Sequence, residues 1–140
     1  MARKSANLKV INAVLCEDVR QEIGNKRSLM GAFSGDIIAA EMPAHIQLAL
    51  YVDFKRNNPD EEVALDVAFL VDDSQIVKFR AKLERGSECA TLVIPKGIVQ
   101  FDKDGVFSVK ITPDNQKEEE ILRKVVMAAK KGPTSSSPNG

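Results

Sequence analysis

The residues most able to do chemistry lie near the start of the chain, in the stretch LCEDVRQEIGNKRSLMGAFSGDI at positions 15–37. There Cys16 is followed by two acids and by Arg20. A thiol nucleophile needs a nearby base, usually histidine, to raise its thiolate fraction. The chain has one histidine, His45, and no spacing signature joins it to Cys16. We interpret Cys16 as a buried thiol, and Asp18 and Arg20, two positions apart on a strand, as a charge pair on one side of that strand.

The chain has too few thiols and imidazoles for a structural zinc site. Such a site takes four of these ligands, and the chain has two cysteines and one histidine. Calcium prefers oxygen ligands, and acids occur in several predicted loops: Asp53, Asp60, Glu61, Asp72, Asp73, Asp102 and Asp104. Two such loops meeting at one end of a sheet structure could hold calcium, although acids in turns usually serve as turn formers. The sequence predicts no metal site and no cofactor, with calcium in end loops as the alternative.

A row of basic residues is the one candidate binding surface that the sequence offers. It consists of Lys78, Arg80, Lys82 and Arg85. On a strand, alternate positions share a face, so the row could meet phosphates, an acidic partner or a membrane surface. The competing interpretation is a solvated strand face whose lysines protect a sheet edge from aggregation. Aromatic side chains that would stack on bases are missing from the row.

Composition restricts the class of protein. The 140 residues carry 20 basic and 20 acidic side chains, a balance that lacks the basic excess of most nucleic-acid-binding proteins. No apolar run approaches the roughly 20 residues that cross a bilayer, and residues 1–20 lack the cleavage pattern of a secretory signal. We therefore expect a cytoplasmic protein with no nucleic-acid partner, no membrane span and two reduced cysteines, Cys16 and Cys89.

The strongest pattern along the chain is alternation of apolar and polar residues, which is typical of strands with one buried face. The predicted inward residues are Ile46, Leu48, Leu50, Val52 and Phe54; Val63, Leu65, Val67, Phe69 and Val71; Val77, Phe79, Ala81 and Leu83; and Phe107, Val109 and Ile111. Turn-forming residues separate these segments at intervals too short for the helical crossovers of a parallel sheet. The pattern predicts an antiparallel, all-β protein.

Residues 115–131 fit two structures. As a helix, Asn115 would cap the segment and acids would precede lysines, in agreement with the helix dipole. As a strand, residues 120–128 would pair with the strand that ends at Ile111, although the alternation there is poor. We favour the strand, and we expect a single domain over residues 8–131 between a flexible start at 1–7 and a disordered tail at 132–140.

Residues 15–37 also predict a hairpin. Gly24 and Asn25 suit a tight turn, because glycine tolerates positive φ, and residues 26–33 form the return strand. Gly31, inside that strand, indicates a bulge or a close approach of another group.

This opening resembles that of an uncharacterised family of small bacterial and phage β-sandwich proteins. The resemblance rests on the pattern LCEDVR followed by a lysine and SLxG, with the matching residues Cys16, Asp18, Arg20, Lys26, Ser28, Leu29 and Gly31. It implies a C2-like or immunoglobulin-like sandwich of about seven or eight strands and supplies no catalytic residues.

From the sequence we therefore expect a non-enzymatic interaction or scaffold module in a bacterial or phage assembly. Such a module would bind a protein partner, or a second copy of itself, through sheet edges or end loops, since strand addition needs no special side chains. The alternative is a C2-like domain that binds calcium or an anionic ligand through its end loops.

Overall fold

A computed structural model describes residues 8–129, and this part of the chain is all-β, without a helix. The all-β prediction is confirmed. The strands are β1 Leu8–Cys16, β2 Asp18–Glu22, β3 Lys26–Met30, β4 Ile37–Ala39, β5 Ala44–Arg56, β6 Val63–Val71, β7 Ser74–Leu83, β8 Cys89–Phe101, β9 Gly105–Pro113 and β10 Glu119–Ala128.

The strands form three sheets. One has the order β1-β5-β8, the second has the order β4-β10-β9-β6-β7, and β2 and β3 form a two-stranded hairpin. Two expectations are wrong in detail. Ten strands, rather than seven or eight, lie within residues 8–129, and β4 pairs with β10 in parallel, not antiparallel. At three residues, β4 is too short to show the alternation from which strands are predicted.

The two larger sheets contribute to one hydrophobic core. Every predicted inward residue of β9 is buried, as are those of β5 from Leu48 onward and of β6 up to Phe69. Phe69 and Phe107 pack edge to face with ring centroids 5.3 Å apart, a preferred aromatic geometry. Alternation thus identified the core-facing side of the central strands.

The segment that could be helix or strand is the strand β10. It pairs with β9 in antiparallel register, with Val125 opposite Val106. A register shift between Glu120 and Leu122 interrupts this pairing. In the apolar run that obscures the alternation, Val126 is buried and Val125 is 41% exposed. Asn115 does not cap a helix. It adopts a φ of 64° in the turn before β10, a conformation that asparagine tolerates better than most residues.

The predicted flexible start at 1–7 and the tail at 132–140 lie outside the described residues. Across residues 8–129, the structure contains no helix that could span a membrane.

Candidate binding cleft

Cys16 lies in the interior, away from His45. The Cys16 side chain is fully buried, and its Sγ is 3.3 Å from the carbonyl oxygen of Asp18 and 3.8 Å from that of Ala49. Burial raises the pKa of this thiol above its ordinary value. Cys16 pairs with Ala49 on β5, four residues from His45, a separation of roughly 13 Å along a strand. The two residues are therefore not arranged as a nucleophile and its base.

The other residues of the opening motif are divided between the two ends of the β2–β3 hairpin. At the base, Asp18 Oδ2 lies 3.3 Å from Arg20 Nε and 3.8 Å from Lys96 Nζ on β8, and Gly31 follows β3 directly. Lys26 lies at the far end, opposite Glu22. The motif therefore builds a hairpin and anchors its base on β8, and its residues do not converge on one site.

The predicted basic row is balanced by acids. Arg80 contacts Asp66 at 3.1 Å and Asp114 at 2.7 Å. The Arg80 guanidinium lowers the pKa of Asp114 through their hydrogen bond, and the same bond raises the pKa of Arg80. Lys78 lies 4.0 Å from Asp66, and Lys82 lies 3.8 Å from Glu62.

Arg85 does not extend this row, because it lies in the loop after β7. The three basic residues of β7 each have an acidic neighbour, so the row offers an external anion less positive charge than the sequence suggests.

The acids of the end loops stabilise turns. Asp72 Oδ1 accepts a hydrogen bond from the backbone N–H of Val106 at 2.9 Å, and Asp104 Oδ1 accepts one from that of Ala128 at 3.1 Å. No group of three histidine, cysteine, aspartate or glutamate side chains within residues 8–129 is arranged to hold a metal ion. The calcium alternative has no assembled set of ligands in this part of the chain.

An apolar cleft of about 360 Å³ lies between β7 and β8. Its lining is uncharged, and six of the residues that form it are Ile76, Val77, Phe79, Ile94, Ile98 and Val99. Phe79 packs edge to face against Phe69 at 5.3 Å and forms part of the wall. Ile76 and Ile98 remain 46% and 62% exposed. Large apolar side chains that are exposed together in a concave surface are typical of binding sites.

Both walls of the cleft are sheet edges. In the described part of the chain, β7 pairs only with β6 and β8 pairs only with β5, so each leaves one side of its backbone without a strand partner. Each edge also has a bulge. Ile76 is skipped in the pairing of β7 with β6, and Pro95 and Lys96 are skipped in the pairing of β8 with β5. Bulges redirect side chains and interrupt regular pairing at edges, which opens the cleft here.

One end of the cleft is acidic. The turn before β7 contacts the start of β9, since the N–H of Asp72 donates to the carbonyl of Val106 at 2.8 Å. The turn after β8 contacts the cleft, since Gln100 of the lining donates to Asp102 Oδ1 at 2.7 Å. These two turns carry the four acids that we call the acidic end: Asp72, Asp73, Asp102 and Asp104. The cations beside them are Lys103 and Arg123, the latter 3.9 Å from Asp73. Four acids against two cations give these turns a net negative charge, although the carboxylates of Asp73 and Asp104 face Arg123 and Ala128 of β10.

A second depression, of about 510 Å³, lies between β4 and the start of β5 and includes Glu17, Glu41 and His45. Its floor is bridged by Gln47 Nε2, which donates to the carbonyl of Glu17 at 2.9 Å. Its charged side chains do not converge on one point, so it has less of the character of a binding site than the cleft.

A comparison with protein-family models finds that residues 12–126 match a family of unknown function, DUF6941. The chain belongs to this family. The expected resemblance to an uncharacterised family is confirmed at that level. All the residues that line the cleft fall within the part of the chain that matches DUF6941. A search of curated proteins finds no match.

Sequence reasoning missed this cleft in the DUF6941 chain, although one signal points to it. Proline in a strand is confined to edges and bulges, and residues 92–99 read LVIPKGIV. Pro95 therefore indicates that β8 is an edge strand. Nothing local indicates that the edge of β7 lies beside it, because strand order depends on contacts that are distant in sequence.

Proposed function

We propose that this protein is a binding module that accepts an extended segment of a protein partner in the cleft between β7 and β8. The observation that carries the proposal is the coincidence of an apolar cleft with two strand edges that have no strand partner in the described residues. The partner segment would place apolar side chains in the cleft and form backbone hydrogen bonds with one of the edges.

The size of the cleft supports one or two anchoring side chains. At about 360 Å³, it lies at the lower end of the range of ligand pockets. A buried apolar anchor contributes roughly 1.5–3 kcal/mol, and a few such anchors dominate many protein interfaces. Strand pairing along the edge would add direction and register.

The acidic end specifies the charge of the partner. Asp102 lies directly after β8 and accepts a hydrogen bond at 2.7 Å from Gln100, which lines the cleft. Opposite charges across an interface accelerate association and suppress wrong partners. We therefore expect a segment with an apolar anchor next to basic residues, and binding that weakens with salt.

The wider setting is part of the same proposal. A C2-like or immunoglobulin-like sandwich, in which two sheets enclose the core, suits a rigid scaffold whose edges recruit partners. We further propose that the module works in a bacterial or phage assembly, as the LCEDVR opening suggests, and that it binds rather than catalyses. The burial of the Cys16 thiol, away from His45, supports this.

Site-specific photo-crosslinking in the native cell tests the proposal. A photoreactive amino acid replaces Ile98 in the cleft or, as the control, Ile11. Ile11 is a 55% exposed isoleucine on β1, which is also an edge strand. We expect a discrete crosslinked protein from position 98 and none from position 11.

A blocking variant then shows whether the cleft itself is needed. A Cβ on Gly97 would meet nothing within 4 Å, so Gly97→Leu can fill the cleft without disturbing the core. We expect it to abolish the crosslink from position 98. Equal crosslinking at positions 98 and 11, or a crosslink that survives Gly97→Leu, would overturn the proposal.

A further inference from the structure

We infer that the segment that enters the cleft is the β2–β3 hairpin of a second copy of this chain, with Ile23 as its anchor. The inference rests on the proposed function of the cleft and names its partner. Two copies would exchange hairpins reciprocally and form a twofold dimer.

The hairpin carries an apolar side chain that its own fold does not use. Ile23 lies in the turn between β2 and β3 and is 92% exposed, more than any other large apolar side chain in residues 8–129. Gly24 and Asn25, with φ of 88° and 58°, complete that turn and hold Ile23 at the tip. Turn tips usually carry small or polar residues. An isoleucine there is consistent with an anchor for an apolar cavity.

The charges of the two surfaces are complementary. Lys26 and Arg27 follow the turn and are exposed, and no ion pair within residues 8–129 involves either of them. The one acid near the tip, Glu22, accepts a hydrogen bond from Ser28 Oγ at 2.8 Å. The tip thus combines an apolar anchor with basic residues. The cleft combines an apolar cavity with an acidic end.

The position of the hairpin suits a reciprocal exchange. Its base is held beside β8 by the contact of Asp18 with Lys96 at 3.8 Å, and β2 also packs against β5 and β8. The strand β8 is one wall of the cleft. Because each copy carries the donor hairpin and the acceptor cleft next to the same strand, a twofold axis can bring both pairs together.

Sedimentation velocity over a range of concentrations tests the inference with the full chain. We expect the wild type to dimerise and Ile23→Glu to weaken dimerisation by about a hundredfold or more, because the twofold dimer loses a buried isoleucine, worth roughly tenfold or more, from each of its two contacts. Gly97→Leu, which fills the cleft, should weaken it to a similar extent. Ile11→Glu, which changes an exposed isoleucine of β1, is the matched control and should dimerise like the wild type.

Mixing the variants gives a second readout. Ile23→Glu retains an intact cleft, and Gly97→Leu retains an intact hairpin, so each supplies what the other lacks. We expect the two variants to form a one-to-one complex through a single contact, which is detected by labelling one of them. The affinity of this complex should exceed the self-association of either variant and fall below that of the wild-type dimer. Raising the salt concentration should weaken this complex, because the basic tip faces the acidic end.

A wild type that stays monomeric, or a dimer that Ile23→Glu leaves intact, would overturn the inference. Neither result touches the proposed function, which depends on the crosslink at position 98. A crosslinked protein other than this chain would retain the proposed function and remove the second copy as its partner.

Discussion

Gly31 lies directly against the side chain of Glu17. A Cβ at position 31 would come within 2.5 Å of Glu17 Oε1 and 2.8 Å of its Cδ, and Gly31 has a φ of 65°. The glycine of the SLxG pattern therefore serves two purposes. It adopts a left-handed conformation that strains other residues, and it leaves room for the acid that follows Cys16.

We expect Gly31→Ala to lower the free energy of unfolding by roughly 2–3 kcal/mol, the sum of left-handed strain and displacement of Glu17. Urea denaturation measures it. Gly24→Ala is the control, since Gly24 has a φ of 88° but a Cβ there would meet nothing within 4 Å, so only strain of roughly 1–2 kcal/mol applies. In a Glu17→Ala background, Gly31→Ala should lower the free energy of unfolding only as much as Gly24→Ala does. If Gly31→Ala lowers the free energy of unfolding equally with and without Glu17, the side chain of Glu17 is not involved.

Arg56 is a buried cation that holds two loops together. It is 2% exposed, and its guanidinium donates to the backbone carbonyls of Glu61, Leu83, Glu84 and Ser87. Arg56→Met removes these hydrogen bonds but keeps an apolar side chain of some length. We expect a loss of about 3 kcal/mol in urea denaturation, because buried carbonyls are left unsatisfied.

Arg56→Lys should rescue this loss only in part, since an ammonium group cannot spread its donors over four carbonyls. Arg85→Met is the matched control, because Arg85 is an exposed arginine in the adjacent loop, and we expect a change within about 0.5 kcal/mol. Similar losses for Arg56→Met and Arg85→Met would contradict a specific role for the buried guanidinium.

The pairing of Arg80 with Asp114 predicts that the titration of the Asp114 carboxyl group depends on Arg80. The hydrogen bond from Arg80 lowers the pKa of Asp114. A carboxyl group whose pKa is lower in the folded state stabilises the fold above its unfolded pKa, and this contribution is lost as the pH falls through the folded pKa. Arg80→Gln should return the pKa of Asp114 towards its ordinary value, as measured by carboxyl ¹³C NMR.

Lys82→Gln is the control for this titration. It removes a cation from the same strand, and the acidic contact of that cation is Glu62, not Asp114. We expect the pKa of Asp114 to remain low in Lys82→Gln. An equal rise in both variants would mean that the general positive charge of β7, not the hydrogen bond from Arg80, controls the titration.

Local sequence predicted the strands with regular alternation and failed where pairing is irregular. The buried faces of β5 and β9 follow directly from alternation, because a strand places successive side chains on opposite faces. Ile76 and Pro95 lie in bulges, where the side-chain order is reset and alternation no longer indicates a face. The parallel pairing of β4 with β10 depends on contacts between residues about 90 positions apart.

The same limit explains why the basic row was easier to find than the cleft. Lys78 and Arg80 are close in sequence, and their spacing alone places them together. The acids that balance them, such as Asp114, come from other strands and loops. The cleft joins Ile76 to Ile98 across two sheets, a proximity that is set by strand order and by no local pattern.

The two cysteines should differ sharply in reactivity, and this difference tests the interpretation of Cys16 as a core residue. Both thiols are free, with Cys89 exposed and Cys16 buried. Burial raises the pKa of Cys16, so the thiolate that reacts with disulfide reagents is scarce at neutral pH. With Ellman's reagent at neutral pH, we expect the native wild type to release one equivalent quickly. Native Cys89→Ser should release almost none, and a full equivalent should appear in urea. Rapid release from native Cys89→Ser would instead show an accessible, activated Cys16. That result would favour an enzyme over a binding module.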